Sequence, residues 1–177
     1  MDTGALSPGT VVNDGTGNEW RNVNNVKISD NVYAYKLDDW GDENKLKATN
    51  FGFSIPTGAT IDGIEVEIER RATGDQLVKD DSLYIVKSDG NYGSSNKADT
   101  VNLWPTTDTY KTYGSPSDLW GETWTAEDIN SSNFGVGISA HCYFVDYGSK
   151  AEIDHIRITV YYSVGTVSPF PSFFRTP

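Results

Sequence analysis

Three glutamates recur at every second position in Ile64-Glu65-Val66-Glu67-Ile68-Glu69. Carboxylates spaced this way on an extended chain stand on one face, about 7 Å apart by strand rise. That spacing lies within the roughly 5 to 9 Å used by paired carboxylates in glycoside hydrolysis. It is also generic to any alternating strand. His141 and Cys142 are neighbours on a predicted strand, so their side chains leave opposite faces and do not form a Cys–His pair. His155 has the opposite parity to Ile156 and Ile158 and is expected on the exposed face. No C-x-x-C or H-x-x-x-H spacing is present for zinc. Asp14-Gly15-Thr16-Gly17-Asn18 lacks the lysine and following helix of a phosphate loop. The expectation is a protein with no catalytic residue, no cofactor and no resident metal.

Two further groups invite a binding reading. Asp38-Asp39-Trp40-Gly41-Asp42-Glu43-Asn44 gathers hard oxygen ligands suited to Ca²⁺. It lacks the D-x-D-x-D-G order and reads as a solvated acidic turn. Trp20, Trp40, Trp104, Trp120 and Trp124 fall in predicted loops. There they either present flat faces to sugar rings or plug the ends of a sandwich.

The elements that must position these residues are strands. Ile64, Val66 and Ile68 alternate with the glutamates, a period of two that marks a strand buried on its apolar face, because unpaired buried carboxylates are costly. The phrase A-x-I-D-x-I-x-[VI]-x-[IV] occurs at Ala59–Ile68 and again at Ala151–Val160. Each copy follows a second shared phrase, at Asn50–Ile55 and Asn133–Ile138, which points to a pseudo-repeat within a sandwich. Other predicted strands are Thr10–Val12, Tyr33–Leu37, Lys45–Ile55, Asp81–Lys87, Phe134–Phe144 and Ile153–Ser163. Ser88-Asp89-Gly90-Asn91 reads as a tight turn, with Asp-Gly supplying the positive φ. Thr125, with Asp128 three residues on, predicts the N-terminus of one short helix. The prediction is all-β, a β-sandwich of about eight strands. It has an extended arm at 1–19, the sandwich at 20–163 and a Pro/Phe-rich arm at 164–177.

The chain has 177 residues, a formal net charge of −11 and a single cysteine. That length is one domain, and it buries roughly 70% of its unfolded surface. The acidity argues against nucleic acid and against anionic membranes as partners. One cysteine excludes an internal disulfide. No apolar run approaches a membrane span. The first residues show neither a basic nor an apolar leader region. Synthesis in a cytoplasm is therefore expected, and Asn130-Ser131-Ser132 reads as a chance glycosylation triplet. The last segment, V-G-T-V-S-P-F-P-S-F-F-R-T-P, has too many prolines for a central strand and too many phenylalanines for a free tail. Phe170, Phe173, Phe174 and Arg175 are the candidate partner-binding residues.

The phrases N-F-G-F-S-I-P-T-G-A-T-I-D-G-I-E-V-E-I-E-R at 50–70, D-L-W-G-E-T-W-T-A-E-D-I-N-S-S-N-F-G-V at 118–136 and I-D-H-I-R-I-T-V-Y-Y-S at 153–163 together resemble virion proteins of tailed bacteriophages and prophages. The resemblance implies a sandwich of jelly-roll type in a capsid-decorating (cement) or tail-associated role, and it carries over no catalytic residues. It implies the major capsid protein or another virion protein as partner, a homo-oligomer with the trimer as candidate arrangement, and the virion as location. The other reading is a carbohydrate- or receptor-binding module on a tail or fibre.

Overall fold

The protein is described by a computed structural model covering residues 1–37, 43–75, 77–143 and 148–165. Among the described residues, eight strands form two four-stranded antiparallel sheets. In chain order they are β1 (Thr10–Asp14), β2 (Ala34–Leu37), β3 (Lys45–Thr49), β4 (Thr60–Gly74), β5 (Val78–Val86), β6 (Thr109–Ser115), β7 (Gly135–Cys142) and β8 (Ser149–Ser163). One sheet has the order β1-β3-β7-β5, the other β2-β8-β4-β6. Odd strands make one layer and even strands the other, so every step along the chain crosses the sandwich. The predicted β-sandwich of about eight strands is what the protein adopts.

The centre of the second sheet is the pair β4·β8. Their register sets Ile64 against Val160, Val66 against Ile158 and Ile68 against Ile156, all fully buried. These are the two copies of the repeated phrase, lying side by side and antiparallel about Val66 and Ile158. The phrase also encodes an irregularity. The register slips between Ile61 and Gly63, leaving Asp62 without a partner, and again between Glu69 and Arg70, leaving Asp154 without one. An extra residue reverses the side-chain parity beyond it. Ile61 and Ile64, three apart, therefore both face the core, as do Ile153 and Ile156. Asp154 uses its bulged position to accept backbone N–H bonds from Asp30, Asn31 and Val32 (3.4, 3.1 and 3.1 Å).

Two expectations need correction or refinement, and one further stretch completes a sheet. The strand predicted over Lys45–Ile55 stops at Thr49, because Asn50 and Gly52 take positive φ (60° and 75°). Phe51, Phe53 and Ile55 stay buried in the coil that follows. The Asn130 side chain clamps Ile55 there, donating to its carbonyl (2.9 Å) and accepting from its N–H (2.8 Å). The first nineteen residues are extended but do not project. Thr3 N donates to Val160 O (3.0 Å), and Leu6 exchanges two 2.9 Å bonds with Ile158. The segment thus continues the β2 side of β8 before entering β1. The long stretch after β5 runs back along that strand as an irregular edge, through Lys87 N–Asn91 O, Gly93 N–Ile85 O, Lys97 N–Leu83 O and Trp104 N–Val78 O, each 2.8 to 2.9 Å.

The helix α1 (Ala126–Asn130) has the predicted cap. Thr125 Oγ1 accepts from Asp128 N (3.1 Å), and Asp128 Oδ2 accepts from Thr125 N (3.0 Å), a reciprocal capping box.

Candidate functional site

The alternation in β4 places Glu65, Glu67 and Glu69 on the outer face of the second sheet. The register fills the same face from both neighbours. Glu65 lies between Thr159 of β8 and Gly114 of β6, Glu67 between Arg157 and Thr112, and Glu69 between His155 and Tyr110. Arg157 takes Glu67 in a two-pronged grip (Nε–Oε2 2.7 Å, Nη2–Oε1 2.9 Å), and its guanidinium lies 4.1 Å from the centre of the Tyr110 ring. The Glu67 hydrogen bond raises the Arg157 pKa. Burial, and then the neighbouring Glu67 charge, raise that of Glu65. A carboxylate held by arginine in this way is engaged as an ion pair, so the equal spacing read from sequence does not produce two equivalent acid–base groups.

His155 is buried, 8% exposed, against the expectation of an exposed ring. Its parity is as predicted, but the N-terminal segment and Tyr110 close over it. Ser7 Oγ lies 2.8 Å from Nε2, and Tyr110 Oη lies 2.8 Å from Nδ1. Burial, and then the Arg157 charge, lower the His155 pKa below its ordinary 6.5, while Glu69, Asp154 and Glu67 oppose the shift. The ring is therefore neutral at neutral pH. Ser7 and Tyr110 are 148 and 45 residues away in sequence, and no local motif connects them to His155. Only the docked N-terminus and the β4–β6 pairing bring them together.

The remaining sequence candidates are placed as follows. Cys142 is buried and His141 exposed, on opposite faces as predicted, and His141 Nδ1 lies 3.2 Å from Glu43. Of the acidic turn, residues 38–42 lie outside the described residues. Asn44 is buried and its Oδ1 accepts from Gly17 N (2.6 Å). Trp20, Trp104, Trp120 and Trp124 are all buried, at 2, 2, 0 and 8% exposure. Each indole N–H is used: Trp20 on Asn44 O (3.3 Å), Trp104 on Asp80 (2.8 Å), Trp120 on Ile64 O (3.0 Å) and Trp124 on Leu119 O (2.9 Å). The plug reading holds for these four, while Trp40 lies outside the described residues. Phe170, Phe173, Phe174 and Arg175 also lie outside them.

A second polar group was not legible in sequence. Arg70 and Asp80 form a buried ion pair across the two sheets. Asp80 also accepts from Trp104 Nε1, Tyr113 Oη (2.8 Å) and Asp99 N (2.7 Å), and the Arg70 guanidinium sits 4.7 Å from the Trp104 ring centre. Burial pushes the Tyr113 phenol well above its ordinary range. With four donors on one carboxylate, this group braces β4, β5, β6 and the loop after β5.

Scans against known protein families, curated proteins and solved structures returned no match.

Proposed function

We propose that the chain is a non-enzymatic virion structural protein, a decoration protein that binds and stabilises a capsid shell. The observation that carries this reading is the burial of Trp20, Trp104, Trp120 and Trp124. Among the described residues, the loop tryptophans are spent on closing the sandwich, which favours a scaffold over a sugar platform. Two further features support it. The phrases that resemble phage virion proteins fall on β4, on the Trp120–α1 plug and on β8, the parts that define the sandwich. In addition, strands that alternate between layers, with residues 91–104 as an irregular outer edge of β5 and β1 added outside β3, fit a jelly-roll wiring.

In this reading, the C-terminal segment docks Phe170, Phe173 and Phe174, with Arg175, into neighbouring virion subunits. Buried apolar anchors of this kind dominate interface energetics, and arm exchange links copies into an oligomer. The test is co-sedimentation of the full chain, and of a chain truncated after Val164, with shells of a candidate major capsid protein. Light scattering gives the oligomeric state of each. The expected result is a truncated chain with unchanged thermal unfolding and weakened shell association. Undiminished association rejects the role of the tail, and no association of the full chain with any shell rejects decoration. The carbohydrate- or receptor-binding reading then returns, through Trp40 and the surface tyrosines, and a saturable fluorescence change on glycan titration would support it.

A further inference from the structure

A hydrogen-bond chain runs through His155 on the outer face of the second sheet. The Tyr110 hydroxyl lies 2.8 Å from His155 Nδ1 and has the Ser29 hydroxyl and the Glu69 carboxylate as further neighbours, and Glu69 Oε2 is buried without a hydrogen bond. A carboxylate oxygen accepts, which lets the phenol proton point to Glu69. The phenolic oxygen is then left to accept from His155 Nδ1–H at 2.8 Å. A neutral imidazole carries one N–H, so Nε2 is bare, and it accepts the Ser7 hydroxyl at 2.8 Å. A serine on the bare nitrogen of a neutral imidazole, whose other nitrogen is oriented by a third group, is the arrangement of an activated nucleophile.

The serine is both held and accessible. Ser7 is exposed while Pro8 beside it is buried. Leu6 is fixed by two backbone bonds to Ile158, and Gly9 by its N–H to Asn50 O (2.9 Å) and by Lys27 Nζ on its carbonyl (2.7 Å). Holding the oxygen against its base removes the orientational cost of assembling the pair.

We propose that Ser7 is an activated nucleophile that accepts an acyl or phosphonyl group from an electrophilic ester or fluoride, with His155 Nε2 as its base and Tyr110 as the residue that orients the imidazole. In the step, Ser7 Oγ forms a bond to the electrophilic carbon or phosphorus, and its proton passes to Nε2. The bond to the alkoxide or fluoride breaks. A leaving alkoxide takes the proton back from Nε2, whereas fluoride departs as the anion and the proton goes to solvent. The product is a neutral serine ester. This site is independent of any role in a virion.

The test is treatment of the full chain with a fluorophosphonate probe, read by intact mass and peptide mapping. The expected result is one adduct, on Ser7, absent in Ser7→Ala. His155→Gln should slow labelling about a hundredfold, the scale of a positioned base. Tyr110→Phe, which keeps the ring packing, should slow it about tenfold and displace the pH midpoint. In the unaltered chain, labelling should rise with pH through a midpoint below 6.5, set by His155 among Glu67, Glu69, Asp154, Arg157 and Tyr110. An adduct confined to other residues, no adduct, or Ser7 labelling unchanged in both the His155 and Tyr110 variants overturns the proposal.

Discussion

At the scale of single residues, the consequences come from close contact and from proton linkage. Gly137 faces outward on β7, and the Tyr92 ring lies across it: an added Cβ would meet Tyr92 Cε1 at 2.6 Å. The ring is held there by its hydroxyl on Asp14 (2.6 Å) and by Lys47, 5.2 Å from its centre. Gly137→Ala should displace the ring and cost about 1–3 kcal/mol, as overpacking does. In a domain of this size that lowers Tm by roughly 2–4 °C per kcal/mol, which calorimetry would read. His155 gives a pH dependence. Its folded pKa is below 6.5 because burial and Arg157 disfavour the charged ring. The unfolded chain therefore binds more protons just below 6.5, and stability falls as pH falls through that window. Denaturant midpoints of His155→Gln should be flatter between about pH 5 and 6.5 than those of the unaltered protein. Glu65 and Asp154, whose pKa values are raised chiefly by burial, act in the opposite sense. The carboxylate of Asp99, lowered by Lys111, loses its stabilisation only at lower pH.

At the scale of elements, the short helix and the repeated phrase show how local chemistry becomes architecture. Five residues are too few for a helix to stand alone, so α1 depends on its capping box and on the burial of Ala126 and Ile129. Asp128 is shared further: it accepts from Ser88 Oγ (2.6 Å), and that bond is the first cause of its lowered pKa. Thr125→Ala should cost about 0.5–2 kcal/mol, measurable in urea, with slope unchanged because the sandwich remains. The cap was legible in sequence, since Thr125 and Asp128 are three residues apart. The bulges were not. I-D-x-I recurs in both strands, but nothing in a linear pattern says that two isoleucines three apart share a face. That follows only when β4 and β8 pair and each must keep an apolar face on one core.

For the whole molecule, the N-terminal segment has a larger role than its composition indicates. It covers the open side of β8 at Ile158–Tyr161 and supplies the cover over His155. Removing residues 1–9 should expose the backbone of β8 as a bare edge. The expected outcomes are a lower Tm in thermal unfolding and concentration-dependent association in light scattering. An unchanged Tm with a monomer at all concentrations would contradict this role.

The sequence by itself determined the class. Period-two alternation, turn residues and the scarcity of helical runs specify an all-β sandwich, because side-chain parity on a strand is a local property. It also determined the apolar face of Ile64, Val66 and Ile68, where helix α1 starts, and that His141 and Cys142 point apart. The tertiary structure decided what depends on which strands and loops meet. It placed Ser7 and Tyr110 on His155, paired Arg70 with Asp80 across the sheets, tied Glu67 to Arg157 and buried four loop tryptophans. The physical reason is the same in each case. Burial, hydrogen-bond partners and proton affinity are set by neighbours in space, and in a sandwich whose strands alternate between layers, those neighbours are not given by any local pattern in the chain.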